Sequence, residues 1–502
     1  MRTKNSFLNM ITNLLPSLII PVLSLIKLNW LLSTYGDDVY GLNLYLAQVI
    51  GYLSFVEGGF GIAFIQALFK PLADDDKEKV KELYQGANVI LKVMGGIILG
   101  IGVVVYILLP NMLTTPLTDS FVRIVFLLLL LPTAIDYFLL APSLVMQADQ
   151  KEYYLNIIRK VIQILRIITH MVIIKLQLSY LYIPLAEAIY ILLQVFISRI
   201  LVFKKYPYLK EKAKKDYSTL SNTRYTFLHK LAGIVLTSTD TLLLGKMIGT
   251  TANTLYGNYN YISSELQKLM ESVVNAPRSS LGNLFAAEKE KGYSVFKEFF
   301  TFASFLSTIV AIPMCITIGK FVELWQGSNY VLPFICSFLF AGILYFVITR
   351  QPIMLVRDTN GYFKETRKFS YIEAILNLTL SIIGIKLFGI TGALAVTFLS
   401  YLMSDLFMNS IFVYKHVFKK SIIEYYKMYL SKIILILLIG FGAYHLWNDI
   451  LINSINGFVM WFIMAGLLFA IVILVMYVIY RFLFKDFQLF INRIMDMIKR
   501  KA

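Results

Sequence analysis

Long apolar segments recur along the whole chain and constrain its fold more than any other feature. Each contains about 20 or more mainly apolar residues, enough for an α-helix to cross a hydrocarbon layer about 30 Å thick. Fourteen such spans are predicted, near residues 6–32, 41–69, 86–110, 119–147, 153–177, 180–203, 225–248, 255–276, 293–320, 330–356, 364–388, 391–415, 428–447 and 455–481. The sequence therefore predicts an all-α, polytopic membrane protein.

The distribution of basic residues predicts the orientation of these spans. The 502-residue chain is 58% hydrophobic and 15% charged, with a formal net charge of +17 and a mean hydropathy of +0.69. Most of its 47 Lys and Arg residues lie in the even-numbered gaps between spans, in the two tails and in their flanks. The positive-inside rule then places both termini and every even-numbered gap in the cytoplasm. The basicity indicates topology, and no nucleic-acid partner is expected.

A basic polar segment, KKYPYLKEKAKKDYSTLSNTR (204–224), divides the chain into two halves. The ends of spans 1 and 7 are similar, since LLSTYGDDVYG (31–41) and LLLGKMIGTTANTLYG (242–257) both lead through a polar turn to Tyr-Gly. Two parallel repeats of six helices around a central cavity are therefore predicted. The predicted parts are an N-terminal bundle (1–203), a cytoplasmic linker (204–224), a C-terminal bundle (225–420), appended helices 13 and 14 (421–485) and a cytoplasmic amphipathic tail (486–502).

Two cytoplasmic segments have the pattern of amphipathic helices that lie on the membrane surface. Residues 70–86 place Val80, Leu83 and Tyr84 on one face, and this face is predicted to contact the bilayer. In the tail, an apolar stripe that includes Phe487 and Phe490 predicts a second interfacial helix.

Ionisable residues at membrane depth are costly and usually face a cavity or a partner. In RKVIQILRIITH, Arg159, Gln163, Arg166 and His170 fall on one side of a helix. Arg159 and Arg350 lie near the cytoplasmic ends of their spans. For both, the alternative is a side chain that extends to the lipid headgroups. Arg166 lies deeper in the membrane, where it forms either a structural ion pair or a contact with an anion in the cavity. His170 lies deeper still and either faces the cavity or packs in the protein with a hydrogen bond. The predicted substrate contacts in the cavity are Arg159, Arg166, Lys92, Lys268, Arg350, Asn258 and Tyr261.

Acidic residues in the same spans are candidates for ion coupling. Asp240 is the best candidate for binding a proton or Na⁺, because its own helix offers no basic residue on the same face within one turn. Glu265 and Lys268 are three residues apart on one helix. As the alternative to a role in transport, they neutralise each other as an ion pair. The predicted cavity acids are Asp240, Glu57, Glu265 and Glu373.

Signatures of enzymes and of resident metals are absent from the sequence. There is no P-loop, so ATP-driven transport by this chain alone is not expected. With four His and two Cys, no transition-metal site is expected either. The chain is predicted to be no enzyme, to have no catalytic residues and to need no cofactor other than a coupling H⁺ or Na⁺.

Fourteen spans, arranged as six plus six plus two with a basic middle loop, resemble the multidrug/oligosaccharidyl-lipid/polysaccharide exporter superfamily. Within it, YGDDVYGLNLYLAQVIGYLSFVEGGFGIAFIQALFKPLADDD (35–76) is similar to the first part of Wzx-type polysaccharide repeat-unit flippases. The stretch STDTLLLGKMIGTTANTLYGNYNYI (238–262) resembles the start of their second half. Glu57, Gly59 and Gly61 carry the first motif, and Asp240 and Gly257 carry the second.

This resemblance implies a transporter of the bacterial inner membrane that flips undecaprenyl-diphosphate-linked oligosaccharides to the outer leaflet. The basic residues named above would then contact the diphosphate, and the polymerase and chain-length proteins of surface polysaccharide synthesis (O-antigen, capsule or exopolysaccharide) would be further partners. A cation-coupled multidrug exporter of the same superfamily is the main alternative. A membrane polysaccharide polymerase or ligase is disfavoured, because the outer gaps are short and hold no arginine well clear of the membrane.

Overall fold

The computed structural model describes residues 2–218, 239–275, 281 and 289–499, and these residues form helices and turns with no β-strand. The predicted all-α class is therefore confirmed. The chain divides into two compact units, residues 1–254 and 255–502. The predicted domain boundaries and the central cavity stay predictions.

The first unit is built from long apolar helices joined by short turns. Its helices are α1 (Arg2–Tyr35), α2 (Asp37–Leu53), α3 (Phe60–Ala73), α4 (Lys77–Met112), α5 (Asp119–Leu139), α6 (Ala141–Ala148), α7 (Tyr153–Lys175), α8 (Tyr182–Lys205), α9 (239–247) and the first turn of α10 (Thr250–Asn275). A short 3₁₀ turn, Pro207–Lys210, follows α8.

The second unit contains the rest of α10 and the helices that follow it. These are α11 (Lys289–Gln326), α12 (Phe334–Thr349), α13 (Gln351–Thr359), α14 (Phe363–Met403), α15 (Asn409–Val413), α16 (Ile422–His445), α17 (Phe458–Leu483) and α18 (Lys485–Lys499). One π turn, Ser404–Met408, separates α14 from α15.

Helices lie where the apolar spans were predicted. Within α14, Gly389 has non-helical backbone angles (φ 59°, ψ −134°), so predicted spans 11 and 12 begin as two helical segments on either side of this turn. The seventh span, 225–248, lies largely outside the described residues. Nine helices of the described part are long and apolar enough to cross a membrane, and Ile19–Tyr35 and Phe60–Ala73 are shorter apolar helices. The total of fourteen spans stays a prediction.

Three predicted spans are interrupted within their length. Between α2 and α3 the chain passes through Gly58 (φ 56°) and Gly59 (φ 86°), a left-handed conformation that favours glycine. Leu140 separates α5 from α6, and Arg350 separates α12 from α13. In both of the latter, a proline near the start of the next helix offers no N–H group and so ends the regular ladder of hydrogen bonds. Such breaks free backbone groups at membrane depth, which is tolerated where protein or water surrounds them.

The prediction that a surface helix at 70–86 contacts the bilayer is wrong. From Lys77 onward this segment is the start of α4, and Val80, Leu83 and Tyr84 are at most 3% exposed. The linker covers α4 here, because the N–H of Asp216 donates to the carbonyl of Glu82 at 3.1 Å. The apolar face therefore packs against protein and not against the bilayer.

The C-terminal helix α18 also packs on protein. Phe487 and Phe490 are 1% and 3% exposed, and the ring of Phe490 lies 4.6 Å from that of Phe302 on α11. Arg493 donates to both carboxylate oxygens of Glu298 on α11, from Nε at 2.9 Å and from Nη2 at 3.0 Å. The prediction of an interfacial membrane helix is thus wrong for Phe487 and Phe490.

Candidate functional site

The break between α2 and α3 gives Glu57 its structural role. Its Oε1 accepts a hydrogen bond from the N–H of Gly61 at 3.2 Å. This contact satisfies one of the free N–H groups of the first turn of α3 and places a negative charge at the positive end of its dipole. A Cβ atom on Gly61 would lie 2.6 Å from the same oxygen. The Glu-x-Gly-x-Gly motif is therefore explained by the left-handed conformation of Gly59 and by the space that Glu57 needs beside Gly61.

A group of acids surrounds one arginine beside this break. We call Glu57, Asp136, Glu152 and Arg159 the acidic cluster. Asp136 interacts electrostatically with Arg159 and with Glu57, and Arg159 donates to Oε1 of Glu152 at 3.1 Å. Three carboxylates against one guanidinium give the cluster an excess of negative formal charge. Such a group is suited to a proton or an organic cation.

Asp136 was not among the residues predicted from the sequence. It lies in helix α5, within the apolar stretch FLLLLLPTAIDYFLL. The neighbouring Tyr137 donates from its hydroxyl to the carbonyl of Ser54 at 3.1 Å, which ties α5 to the 3₁₀ turn before the break. A carboxylate within an apolar span is itself a signal of function, and this signal was available in the sequence.

A second group of charges lies on α1, α7 and α8. We call Lys27, Arg166, His170 and Glu187 the Arg166 cluster. Arg166 donates from Nη1 to Oε1 of Glu187, the Nε2 atom of His170 lies 3.8 Å from Oε2 of Glu187, and Lys27 interacts electrostatically with both Glu187 and Arg166. Arg166 thus has a carboxylate partner, as its ion-pair alternative expects, and its contact with an anion stays a prediction.

The pairing does not use up the positive charge of the Arg166 cluster. Lys27 and Arg166 face one carboxylate, Glu187, so the cluster keeps a formal excess of one positive charge when His170 is neutral. The side chains of Arg166 and Glu187 are 25% and 27% exposed, so both can be reached from outside the protein. The guanidinium matches phosphate oxygens in charge and shape. Lys27 and Glu187 were missed as site residues, although both are charged residues within predicted spans.

Arg159 and Arg166, which the sequence places on one side of a helix, thus lie in different environments. Both are on α7, and seven residues separate them, which is about 10 Å along a helix axis. Arg159 belongs to the acidic cluster, whereas Arg166 belongs to a cluster with excess positive charge. One helix therefore connects a site suited to cations with a site suited to anions.

In the second unit, Arg350 and Glu373 form a buried ion pair at two interruptions of helices. Nη1 of Arg350, at the break between α12 and α13, lies 3.7 Å from Oε1 of Glu373, and their side chains are 17% and 4% exposed. Ser404, the first residue of the π turn, donates to Oε2 of Glu373 at 3.1 Å. Asn409 in turn donates to Ser404 at 3.0 Å. Arg350 thus has a carboxylate partner inside the protein, in place of the headgroup contact given as its alternative.

The remaining predicted residues are not gathered into either group. Lys268 is 66% exposed in its side chain and lies 2.6 Å from Glu265, as the neutralisation alternative predicted. Asn258 is fully buried, and neither its Oδ1 nor its Nδ2 has a hydrogen-bond partner among the described residues. Tyr261 is half-buried on the same helix, and Lys92 is exposed on α4.

Asp240 is buried in the first unit, 3% exposed, at the start of the described part of α9. Its neighbour Thr239 shares a hydrogen bond of 3.0 Å with the hydroxyl of Tyr52 on α2. The charge of Asp240 also acts on Tyr52. Asp240 therefore lies near α2 but outside the acidic cluster as defined above, and its role in ion binding stays a prediction.

Comparisons with known proteins identify the sequence family and the fold. A family described as "Polysaccharide biosynthesis protein" matches residues 3–280, more than half of the chain. A search of curated protein sequences finds no significant match.

Solved structures of transporters share the fold. The structure "Lipid II flippase MurJ, inward closed conformation" aligns with a TM-score of 0.68 at 14% identity, covering 93% of this chain and 98% of that chain. An inward-facing MATE multidrug resistance transporter of the MOP superfamily aligns with a TM-score of 0.61 at 11% identity, covering 79% of this chain and 97% of that chain. An outward-facing MATE structure gives a TM-score of 0.54 at 10% identity, covering 78% and 90%. At these identities the likeness establishes the fold alone.

Proposed function

We propose a flippase function on the premise that this chain belongs to the polysaccharide biosynthesis protein family, because residues 3–280 match that family. The transported compound is an undecaprenyl-diphosphate-linked oligosaccharide repeat unit, carried from the cytoplasmic to the outer leaflet of the bacterial inner membrane. The product serves surface polysaccharide synthesis, as O-antigen, capsule or exopolysaccharide. The observation that carries the proposal is the family match on a chain whose fold aligns over 93% of its length with a lipid II flippase.

The Arg166 cluster supplies the contact for the diphosphate. Its excess positive charge and its partial exposure are what an anionic headgroup requires, and Glu187 holds the guanidinium of Arg166 in place. A diphosphate that binds there competes with Glu187 for the same fork of N–H groups. Binding is therefore reversible, which a transporter needs at each end of its cycle.

The acidic cluster supplies the coupling step. Alternating access moves a transporter between states open to each side of the membrane. An interior-negative membrane potential favours the outward movement of a dianion by about 2.3 kcal/mol per charge per 100 mV. Return of the unloaded protein needs compensation of its cationic site, and a proton bound near Glu57 and Asp136 provides it. As a transporter, the protein makes and breaks no covalent bond.

Export of cationic drugs is the second candidate, and the excess negative charge beside Glu57 favours it. The share of this chain that aligns with each solved structure favours the flippase instead. The flippase aligns with 93% of this chain and the MATE transporter with 79%, a difference of 14% of 502 residues or about 70 residues. Helices α16 and α17 with their connection (Ile422–Leu483) are of similar length. This agreement favours the flippase.

Deletion of the gene in a strain that makes the polysaccharide tests the proposal. We expect lipid-linked repeat units to accumulate on the cytoplasmic face and surface polysaccharide to be lost. Complementation with Arg166→Gln should restore little polysaccharide, whereas Lys175→Gln should restore it, because Lys175 is an exposed cation at the end of the same helix. Normal surface polysaccharide together with increased drug sensitivity after deletion would transfer the function to drug export.

A further inference from the structure

A separate pocket of basic and apolar side chains lies at the end of α8 that leads into the linker. It has a volume of about 430 Å³ and is lined by Phe196, Arg199, Ile200, Phe203, Lys204 and Lys210. None of these residues belongs to the clusters described above. The pocket lies within the first unit.

The sequence builds this pocket from one helical stripe and one turn. Five of the lining residues, at positions 196, 199, 200, 203 and 204, follow the spacing of a single helix face. Lys210 comes from the 3₁₀ turn that folds back toward them, and its Nζ lies 5.7 Å from the centre of the Phe203 ring. The guanidinium of Arg199 lies 4.9 Å from the same ring on this helix. One aromatic ring thus holds two cations close together.

The turn that carries Lys210 is fixed by its neighbours. Tyr206 is buried and donates from its hydroxyl to Oδ2 of Asp149 at 2.5 Å. Leu209 is 1% exposed. Because Tyr206 anchors the start of the turn and Leu209 is buried within it, Lys210 has a defined position beside α8.

Within the described residues, the basic side chains of the pocket have no carboxylate partner. No ion pair between described residues involves Arg199, Lys204 or Lys210, and Nη1 of Arg199 is buried without a hydrogen-bond partner in the described part of the chain. The nearest carboxylates along the turn have other partners, since Lys151 lies 2.6 Å from Asp149 and Lys81 lies 2.8 Å from Glu211. A buried donor of this kind is costly unless a ligand satisfies it.

The apolar part of the lining indicates the kind of ligand. Phe196 and Ile200 are 59% and 53% exposed, on a helix that is long and apolar enough to cross a membrane. Arg199 lies between these two residues along the helix, and Lys204 and Lys210 lie further toward the linker, which the positive-inside rule assigns to the cytoplasm. Acyl chains would therefore cover Phe196 and Ile200 while an attached headgroup reaches the cations.

We propose that this pocket binds the phosphate headgroup of an anionic phospholipid from the cytoplasmic leaflet. The guanidinium of Arg199 donates to the phosphate, Lys204 and Lys210 close around it, and the acyl chains lie along Phe196 and Ile200. The bound lipid is a structural or regulatory ligand, distinct from the transported compound. The proposal is independent of the flippase function, because it concerns binding alone.

Native mass spectrometry of the full-length protein in detergent, titrated with short-chain phosphatidylglycerol and phosphatidylcholine, tests the proposal. We expect phosphatidylglycerol to bind the wild type and the double variant Arg199→Gln/Lys210→Gln to lose about 25-fold in affinity. This follows from about 1 kcal/mol, or fivefold, for each basic residue at an anionic surface. The control Lys212→Gln/Lys214→Gln removes the same charge from exposed linker positions and should change the affinity less than threefold.

Two results would overturn the proposal. Equal losses in the pocket variant and the linker control would show diffuse attraction to a basic surface. Displacement of phosphatidylglycerol by an equimolar short-chain polyprenyl diphosphate, dependent on Arg199, would assign the pocket to the transported lipid. If Arg199→Gln does not fold, Lys204→Gln/Lys210→Gln gives the same measurement from two side chains at the rim of the pocket.

Discussion

The ion pair between Arg493 and Glu298 predicts how firmly the C-terminal helix is attached. Glu298 is 2% exposed and receives two hydrogen bonds from one guanidinium, whose side chain is 36% exposed. Substitution of Arg493→Gln leaves a buried carboxylate without its cation. Removal of one partner from a fully buried pair costs about 3–5 kcal/mol. Because water reaches this pair on the arginine side, we expect a cost nearer to about 2–3 kcal/mol.

This cost should appear as local detachment of α18 and not as loss of the whole fold. At about 1.4 kcal/mol per factor of ten, 2–3 kcal/mol raises the detached population about 30- to 150-fold. Hydrogen exchange of the amides in residues 486–493, followed by mass spectrometry in detergent, measures that population. Lys485→Gln, which removes an exposed charge from the first turn of the same helix, is the matched control and should change the exchange rates less than twofold.

The reverse substitution and the double variant separate the ion pair from other effects of mutation. Glu298→Gln should cost less than Arg493→Gln, because the arginine left behind is partly exposed and water can solvate it. The double variant should recover part of the loss, because two amides can hydrogen-bond to each other. A rise of less than threefold for Arg493→Gln, or strict additivity in the double variant, would refute the reasoning.

Three further perturbations test the clusters and the linker. Glu187→Gln removes the partner of the partly exposed guanidinium of Arg166, so a bound diphosphate should be released more slowly; in proteoliposomes we expect tighter substrate binding with a lower flipping rate, and an unchanged rate would contradict the assigned role. Gly86→Ala places a Cβ atom 1.9 Å from the carbonyl oxygen of Asp216, whereas Gly96→Ala meets nothing within 4 Å; exchange of the amides in residues 206–218 should rise only in the first variant, and equal rates in both would exclude the contact. The Lys79 ammonium and the N–H of Ser218 lower the pKa of Asp216 to about 2. The stabilisation of the linker by this carboxylate is therefore complete above about pH 4 and is lost as the pH falls through 2. The mobility of a spin label at residues 212–215 should rise over that interval in the wild type, and the label should be mobile at every pH in Asp216→Asn.

The sequence by itself determined which segments form helices. In a hydrocarbon environment every backbone N–H and C=O must be bonded within the segment, so a long apolar run has no alternative to a helix. The sequence also showed which charged residues lie within the apolar segments, whereas the break between α2 and α3 inside the predicted span 41–69 was not predicted. These properties depend on residues within a few turns of each other.

Only the tertiary structure decided which charges pair and which apolar faces are covered. Glu298 and Arg493 are 195 positions apart in the chain, and Lys81 and Glu211 are 130 apart. A stripe of apolar residues fits a membrane surface and a neighbouring helix equally well, so the pattern at Phe487 and Phe490 could not choose between them. Likewise, the charge of Arg166 was visible in the sequence, but its electrostatic surroundings depend on Lys27 of α1 and Glu187 of α8, which only folding brings beside α7.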